Sequence, residues 1–320
     1  MESRSRFMLR LSPEVYSFII LIGLLTIFTI FSNYRFLSYE NLRALGRLLP
    51  DLGVVALGVA MLMIAGEFDL SISSQIPLCS YIMITLLKSS FGEIPSLFIT
   101  FCVGAILGLI NAVITIRGRI PSFITTLGTM LLWRGVVLLL TLGYQKPLAS
   151  ISPLFASVFV SEVFGVPVQI IWFGAIAAVL GLILHRHRFG NWVYATGDNE
   201  MAAREMGVNT ALTKTICFMT VGILAALTSV LQLYRIESFA ATQGIGFEFR
   251  AIAACVIGGI SLRGGSGSII GAVLGIIAMQ TIDTGLILMG VPVFGVSAFI
   301  GIVIVVFGLL VIRARRRSAS

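Results

Sequence analysis

Residues 96–116 read SLFITFCVGAILGLINAVITI, a stretch of 21 residues that contains no Asp, Glu, Lys or Arg. A helix needs about 20 apolar residues to cross the hydrocarbon core of a bilayer, which is about 30 Å thick. No water reaches the backbone there, so a crossing segment must satisfy its own N–H and C=O groups, as an α-helix does. The stretch therefore predicts a transmembrane helix.

The composition of the whole chain indicates the same environment. Hydrophobic residues make up 58% of the 320 residues and charged residues only 11%, whereas soluble domains carry about 25% charged residues. A soluble protein of this composition would expose large apolar patches and aggregate. We therefore expect an all-α polytopic membrane protein, and we exclude a soluble enzyme, a nucleic-acid-binding protein and a disordered chain.

The apolar stretches predict ten transmembrane helices that form one domain over residues 1–320. None of them shows the alternating pattern of a β-barrel strand. Prolines at three predicted helix starts, Pro95, Pro121 and Pro167, occupy positions where a missing N–H costs nothing. The predicted spans are about 15–31, 49–66, 70–87, 96–116, 121–142, 168–184, 214–234, 249–262, 268–289 and 294–312.

The positions of Lys and Arg indicate how the chain is oriented. With a cytoplasmic N-terminus, the inner segments hold fourteen Lys and Arg residues and the outer segments hold six. Cytoplasmic loops of membrane proteins are enriched in these residues, so we expect both termini in the cytoplasm. The same enrichment accounts for the net charge of +8. The stretch 35–47, with three arginines in an outer segment, runs against the rule.

Two loops are longer than a hairpin. The outer loop, 143–167, contains a short apolar piece, 151–160, which we expect to lie at the outer surface. The inner loop, 185–213, is the longest polar stretch in the chain and lies in the cytoplasm in this orientation.

Within the inner loop, the segment 197–207, GDNEMAAREMG, predicts a short helix. Asp198 or Asn199 can cap its start, and Gly207 can end it. One face carries small or apolar side chains at helical spacing, those of Ala202, Ala203 and Met206. Such a helix fits a groove on a partner protein. The alternative is an ordinary loop helix that lies on the bilayer.

The sequence carries no catalytic motif. The glycine-rich run Gly264–Ser268 lacks the Lys of a phosphate-binding loop and favours a tight turn between close-packed helices. The two histidines, His185 and His187, belong to a cytoplasmic basic patch and not to a Ser–His pair. The four cysteines lie inside apolar runs without metal-ligand spacing. We expect no catalytic residue, no metal ion, no cofactor and no nucleic-acid partner.

Polar and ionisable residues at membrane depth are costly and mark candidate functional sites. The candidates for a polar pathway or its gate are Asp69, Ser71, Arg134, Glu248 and Asp283. Asp69 or Ser71 can instead cap the helix that follows, and Arg134 can extend its head group to the outer interface. Glu248 can act as an interface anchor, whereas Asp283 must face either a helix contact or a polar pathway.

Four segments of the sequence form a recognisable set. They are GEFDLS at 66–71, IPSFITTLGT at 120–129 with RG at 134–135, ATGDNEMAAREMG at 195–207, and EFRAIAA at 248–254 with IGGISLRGGSG at 257–267. Together they resemble the permease subunits of bacterial ABC importers of the ribose, xylose and galactose type. The likeness covers nearly the whole chain, and the last two segments are the most specific.

The resemblance implies a permease subunit in the bacterial cytoplasmic membrane that imports a monosaccharide by alternating access and catalyses no covalent chemistry. It implies three partners: an ABC ATPase subunit, an extracytoplasmic solute-binding protein, and a second permease chain that is identical or related. The ATPase would move the permease through a coupling helix at 199–207. The residues implied in that contact are Asn199, Glu200, Ala202, Ala203 and Gly207.

The sequence departs from the family pattern at three polar positions. Glu67 replaces a glycine, Arg250 takes a place that is often acidic, and Asp283 stands where the family usually has Asn. These changes leave the solute open between a sugar, a nucleoside and another small polar molecule. An ion-coupled secondary transporter that uses Asp69 or Asp283 is the alternative class.

Overall fold

The computed structural model describes residues 12–89, 91–148, 151–292, 295–296 and 298–302. In these parts of the chain it contains twelve α-helices, one short 3-10 helix and four two-residue strands. The helices are α1 (Pro13–Phe31), α2 (Tyr39–Ile64), α3 (Ile72–Lys88), α4 (Glu93–Gly118), α5 (Ser122–Thr141), α6 (Pro153–Phe159), α7 (Val168–Arg186), α8 (Arg188–Asp198), α9 (Glu200–Glu205), α10 (Thr210–Ile236), α11 (Phe247–Ile257) and α12 (Ile269–Leu288), and the 3-10 helix is Arg35–Leu37. The strands form two antiparallel pairs, β1 (Lys146–Pro147) with β4 (Ser238–Phe239) and β2 (Glu162–Val163) with β3 (Val166–Pro167).

Seven of the described helices are long and apolar enough to cross a membrane, namely α1, α2, α4, α5, α7, α10 and α12. Each of them overlaps one of the predicted spans, although α2 begins at Tyr39, ten residues before the predicted start at 49. α3 is also apolar but has 17 residues, slightly fewer than a full crossing needs. These helices confirm an all-α polytopic membrane protein.

One predicted span, 249–262, is not a full-length helix. α11 has 11 residues, so its length of about 16 Å is half the thickness of the hydrocarbon core. It ends at Gly258 and Gly259, where φ of Gly259 is +83° and the N–H of Ile260 returns to the carbonyl of Cys255 (3.0 Å). Glycine in this conformation stops a helix, which apolar character alone did not predict. Most of the last predicted span, 294–312, lies outside the described residues.

Two helices form the centre of the bundle. In the most apolar 18-residue window of each helix, 89% of the residues are buried in α2 and 78% in α10. The same share is only 22–28% in α1, α5 and α7. The latter three helices therefore direct most of their apolar side chains away from the protein. An apolar surface of this extent is typical of helices that face lipid or another subunit.

The short apolar piece of the loop 143–167 folds onto the bundle. It forms α6, whose first turn is capped by Ser152. Phe155 and Phe159 of α6 pack against Tyr234 near the end of α10, with ring centroids 5.7 and 5.5 Å apart. The loop therefore covers the end of α10 with aromatic side chains.

Glu162, which follows α6, binds two of the arginines that run against the charge rule. Its carboxylate lies 2.6 Å from the Nε of Arg43 and 2.8 Å from Nη2 of Arg47. The hydrogen bond from Arg43 lowers the pKa of Glu162. This one carboxylate offsets part of the positive charge of the stretch 35–47.

α4 and α10 approach each other along a line of glycines. Gly104 and Gly108 of α4 lie against Gly222 and Phe218 of α10, and a Cβ at Gly108 would overlap the carbonyl of Phe218. Small residues let helix backbones pack closely, which is a main source of helix association in membranes. The contact between α4 and α10 therefore depends on the absence of side chains at these positions.

We predict that Gly108→Ala destabilises the bundle, although Ala is the better helix former. The added methyl group forces α4 and α10 apart, and such overpacking costs about 1–3 kcal/mol. Gly128→Ala in α5 is the matched control, because no atom lies within 4 Å of a Cβ there. Thermal unfolding in detergent should show a lower midpoint for Gly108→Ala than for the control. Equal midpoints would contradict the close packing of α4 against α10.

Candidate coupling site and polar clusters

The segment predicted to contact a partner forms the six-residue helix α9. The side chain of Asn199 caps its start by accepting the N–H of Ala202 (3.1 Å). At its end the N–H of Val208 donates to the carbonyl of Ala203 (2.9 Å), and φ of Gly207 is +82°. Asn199 therefore caps the segment and Gly207 ends it, as the sequence allows. The helix between them, Glu200–Glu205, is shorter than the predicted 199–207.

The side chains that this helix exposes differ from those predicted. Ala203, predicted to lie on the docking face, is 4% exposed and packs inside the chain. Met201 and Met206 are 77% and 84% exposed, and Ala202 is exposed beside them. Methionine side chains are flexible and polarizable, which suits them to adaptable contact surfaces. We call Met201, Ala202 and Met206 the α9 surface.

Lys214, in the first turns of α10, joins α9 to the transmembrane helices. Its ammonium lies 2.6 Å from the carboxylate of Glu67, between α2 and α3, and 2.7 Å from that of Glu200 in α9. The side chains of Lys214 and Glu67 are 11% and 13% exposed, so salt screens this pair less than a surface pair. Arg204 adds a second cation next to Glu200. These contacts fix α9 to α10 and to the connection between α2 and α3.

The neighbouring cations set the protonation of Glu200. Partial burial raises its pKa, but the hydrogen bond and charge of Lys214, together with those of Arg204, outweigh burial and lower the pKa below its usual value. A carboxylate with a lowered pKa stabilises the fold above its unfolded-state pKa, and this effect is lost as pH falls through the folded-state value. The attachment of α9 is therefore complete at neutral pH and weakens in acid.

We predict that Lys214→Met destabilises the protein, because it leaves the carboxylates of Glu67 and Glu200 close together without their shared cation. Removal of one partner from a buried ion pair costs about 3 kcal/mol or more, so the midpoint of thermal unfolding should fall. The double variant Lys214→Met/Glu67→Gln removes one uncompensated charge and should recover part of this loss. Lys146→Met in the loop 143–167 is the control, and an effect no larger than the control would contradict the bridging role of Lys214.

Three motif segments of the sequence meet next to α9. The N–H of Gly265 donates to the carbonyl of Ile64 at the end of α2 (2.9 Å). Gly197 in α8 lies so close to the same carbonyl that a Cβ would overlap it. We call this contact the glycine junction. It joins segments that are distant in sequence, 66–71, 195–207 and 257–267.

Asp69 lies at the centre of a buried hydrogen-bond cluster. Its carboxylate accepts the backbone N–H and the hydroxyl of Ser71 (2.8 and 2.6 Å) and the side-chain amides of Gln75 and Asn111 (both 3.2 Å). Thr129 of α5 extends the cluster by donating to Asn111 (2.8 Å). These contacts join α3, α4 and α5. Ser71 is the N-cap residue of α3 but makes no side-chain capping bond, and Asp69 accepts the N–H of Ser71, which precedes the helix, so neither side chain caps α3 as predicted.

Arg134 and Glu248 lie inside the bundle. The guanidinium of Arg134 donates to the carbonyls of Ser73 in α3 and Ala241 in the segment after α10, and does not extend to the interface. Glu248 is 8% exposed, and one of its oxygens has no hydrogen-bond partner among the described residues. Both side chains therefore belong to the region where the segment before α11 meets the start of α3.

Asp283 of α12 forms an ion pair with Arg250 of α11, with 2.9 Å between Oδ2 and Nη1. These are two of the three departures from the family pattern, and the third, Glu67, pairs with Lys214. Each unusual charge therefore has a partner of opposite sign. The pair makes the helix contact that was one interpretation of Asp283, and it also lines a cavity; a polar pathway at Asp283 stays a prediction.

The predicted residues occupy four separate places, namely α9, the Asp69 cluster, the start of α11 and the cavity beside Asp283. Five further polar residues at or beside these places were not predicted, namely Asp51, Gln75, Asn111, Lys214 and Arg235. Asp51 and Asn111 each stand alone in an apolar run, and this isolation could have identified them as candidate site residues. The partnership of Asp51 with Arg235 could not be seen, because the two residues lie on different helices.

The described side chains act through hydrogen bonds and charge. Within the described ranges, no group of three or more His, Cys, Asp and Glu residues could hold a metal ion. The four cysteines are free, and three of them are buried.

A family model described as the permease component of the branched-chain amino acid transport system matches residues 42–308. The chain belongs to this permease family. It is a transport subunit and a multi-pass protein of the cytoplasmic membrane.

Relatives of this permease carry names of import systems. It is 34% identical over 288 residues to the autoinducer 2 import system permease protein LsrC of Salmonella paratyphi B, covering 89% of this chain and 81% of the relative. It is 31% identical over 303 residues to the xylose/arabinose import permease protein XylH of Sulfolobus acidocaldarius, covering 92% and 84%. The LsrC protein of Photorhabdus luminescens is 33% identical over 320 residues, covering 98% and 94%. No solved structure matches this chain.

Proposed function

We propose that this permease is the membrane-spanning subunit of an ATP-driven ABC importer of a monosaccharide. Its family and the import permeases among its relatives support the class, and the relative named for xylose and arabinose supports a sugar. The observation that carries the proposal is the α9 surface, where two exposed methionines stand on a helix fixed to the transmembrane core by Lys214. Such a surface suits a subunit that receives mechanical work from a partner.

The partner at the α9 surface would be an ABC ATPase subunit. α9 would move together with α10 and with the α2–α3 connection, because Lys214 binds Glu200 and Glu67. The glycine junction would pass the same displacement to the connection between α11 and α12. In this proposal Asn199 and Gly207 set the limits of the helix, Glu200 anchors it, Ala203 packs it against the chain, and Ala202 lies in the contact. An extracytoplasmic solute-binding protein and a second permease chain complete the importer.

The proposed topology has ten crossings, with both termini and the coupling loop 185–213 in the cytoplasm. The seven long helices, α3, α11 and the last predicted span make up this number. α11 is too short to cross alone, so the non-helical residues 240–246 would complete its crossing. The position of Gly244, next to the carbonyl of Ser73 in α3, supports the entry of this segment into the bundle.

We predict that a membrane-impermeant thiol reagent added outside intact cells labels Tyr144→Cys but neither Met206→Cys nor Ser318→Cys. Tyr144 and Met206 are 72% and 84% exposed. Labelling at these two sites therefore depends on the side of the membrane that they face and not on burial. All variants are made in a background without the four native cysteines. Permeabilised cells are the control, in which all three sites should react. Labelling of Met206→Cys or Ser318→Cys from outside would contradict the proposed topology.

The importer proposal predicts ATP-dependent uptake of D-xylose or L-arabinose by proteoliposomes that contain the permease with its ATPase and binding protein. Met201→Glu/Met206→Glu should abolish uptake and stimulated ATP hydrolysis, because charge on the α9 surface opposes an apolar contact. The matched control Met201→Leu/Met206→Leu keeps the surface apolar and should retain at least about half of both activities.

Two outcomes of this experiment would contradict the proposal, the first its importer class and the second its coupling surface. Uptake driven by an ion gradient without ATP would favour the secondary transporter, with Asp69 or Asp283 as the coupling carboxylate. Full stimulation of ATP hydrolysis in the Glu variant would remove the α9 surface from the contact with the ATPase.

A further inference from the structure

The bundle contains a polar cavity apart from the α9 surface. It has a volume of about 290 Å³ and lies between α2, α11 and α12. Its lining includes Asp51, Phe247, Arg250, Gln280, Asp283 and Thr284. Charged side chains at this depth are costly, so their concentration around one cavity calls for a functional explanation.

The charges around this cavity balance. Arg250 pairs with Asp283 (2.9 Å), and Asp51 pairs with Arg235 at the end of α10. Two carboxylates and two guanidinium groups give a formal charge of zero. Arg235 does not itself line this cavity, but it pairs with Asp51, so each charge in the lining has a partner of opposite sign and the cavity suits an uncharged solute.

Each carboxylate has one oxygen to spare. Asp51 and Asp283 are 6% and 7% exposed, and in both the Oδ1 atom is buried without a hydrogen-bond partner among the described residues. A buried acceptor without a donor costs about 1–3 kcal/mol. Both Oδ1 atoms are enclosed in this structure, so a hydroxyl group of a solute would supply the missing donor once the carboxylate turns toward the cavity.

The neutral side chains add to the same chemistry. The amide nitrogen of Gln280 lies 3.4 Å from the hydroxyl of Thr284, which is long for a hydrogen bond. Both groups therefore have capacity for a further hydrogen bond. Phe247 supplies an apolar surface. Small-molecule sites generally combine apolar walls with a few polar groups that fix orientation.

A second cavity provides an approach. It is lined by Tyr39, Glu40, Arg43, Arg47 and Arg235, and it shares Leu48 with the first cavity. Arg235 lines this second cavity and also binds Asp51. The ion pair between Arg235 and Asp51 therefore stands between the two spaces.

We propose that the cavity between α2, α11 and α12 is a binding site for an uncharged, polyhydroxylated solute in transit, with Asp51 and Asp283 as acceptors of its hydroxyl groups. The proposal rests on the proposed function in that the solute belongs to the sugar class. It adds the place and the residues at which the permease itself recognises that solute.

The first test measures sugar imported per ATP hydrolysed, in proteoliposomes with the partner subunits and with D-xylose and L-arabinose as probes. Asp283→Asn keeps the side-chain shape but removes the charge, and it should lower this ratio about tenfold. Its membrane insertion and its copurification with the ATPase should not change, since α9 is untouched. Glu237→Gln is the matched control, an exposed carboxylate after α10 that does not line the cavity, and its ratio should stay within about twofold of wild type.

The second test covers the case in which Asp283→Asn fails to insert. Thr284→Cys, in the background without the four native cysteines, is labelled from outside by a membrane-impermeant thiol reagent. D-Xylose should slow this labelling, and the anion D-xylonate should not, because the cavity is charge-balanced.

Three outcomes decide the proposal. An unchanged ratio in a correctly inserted Asp283→Asn variant would overturn it, and so would labelling of Thr284→Cys that D-xylose does not slow or that D-xylonate slows equally. If the wild-type importer takes up neither sugar, the proposed function fails in its sugar class, and this is known before any variant is measured.

Discussion

Buried charges in this permease are stabilised by partners, which are opposite charges in three ion pairs and neutral hydrogen-bond donors at Asp69. A charge alone at the bilayer centre costs about 3 kcal/mol or more. The pairs are Asp51 with Arg235, Arg250 with Asp283, and Lys214 with Glu67. Each pair joins different helices or their connections. They therefore restrict how α2, α10, α11 and α12 can lie together, in addition to any effect on stability.

Close backbone contact is the second condition on which the bundle depends. The hydrophobic effect does little to hold helices together in lipid, so tight packing must replace it. At Gly108 the backbone of α4 reaches α10, and at Gly197 the end of α8 reaches the carbonyl of Ile64. The first contact builds the transmembrane core. The second attaches the segment 195–207 to that core without an intervening side chain.

The proposed coupling surface and the proposed solute cavity are connected through shared helices. α2 carries Asp51 at the cavity and ends at Ile64, where the glycine junction begins. α11 carries Arg250 at the cavity and leads into Gly265 of the same junction. A displacement of α9 by a partner would therefore act on two walls of the cavity at once. Rigid elements with shared contacts are a physical route for such coupling.

The sequence by itself determined the membrane class, the seven long helices, and the end of the α9 segment at Gly207, and it limited the cap of α9 to Asp198 or Asn199. These features depend on local properties, namely the length of an apolar run and the conformational preference of a few residues. Only the tertiary structure decided that Ala203 is buried, that Asp283 pairs with Arg250, and that Asp69 binds Asn111. Such contacts join residues on different helices, and their geometry exists only after the helices have packed.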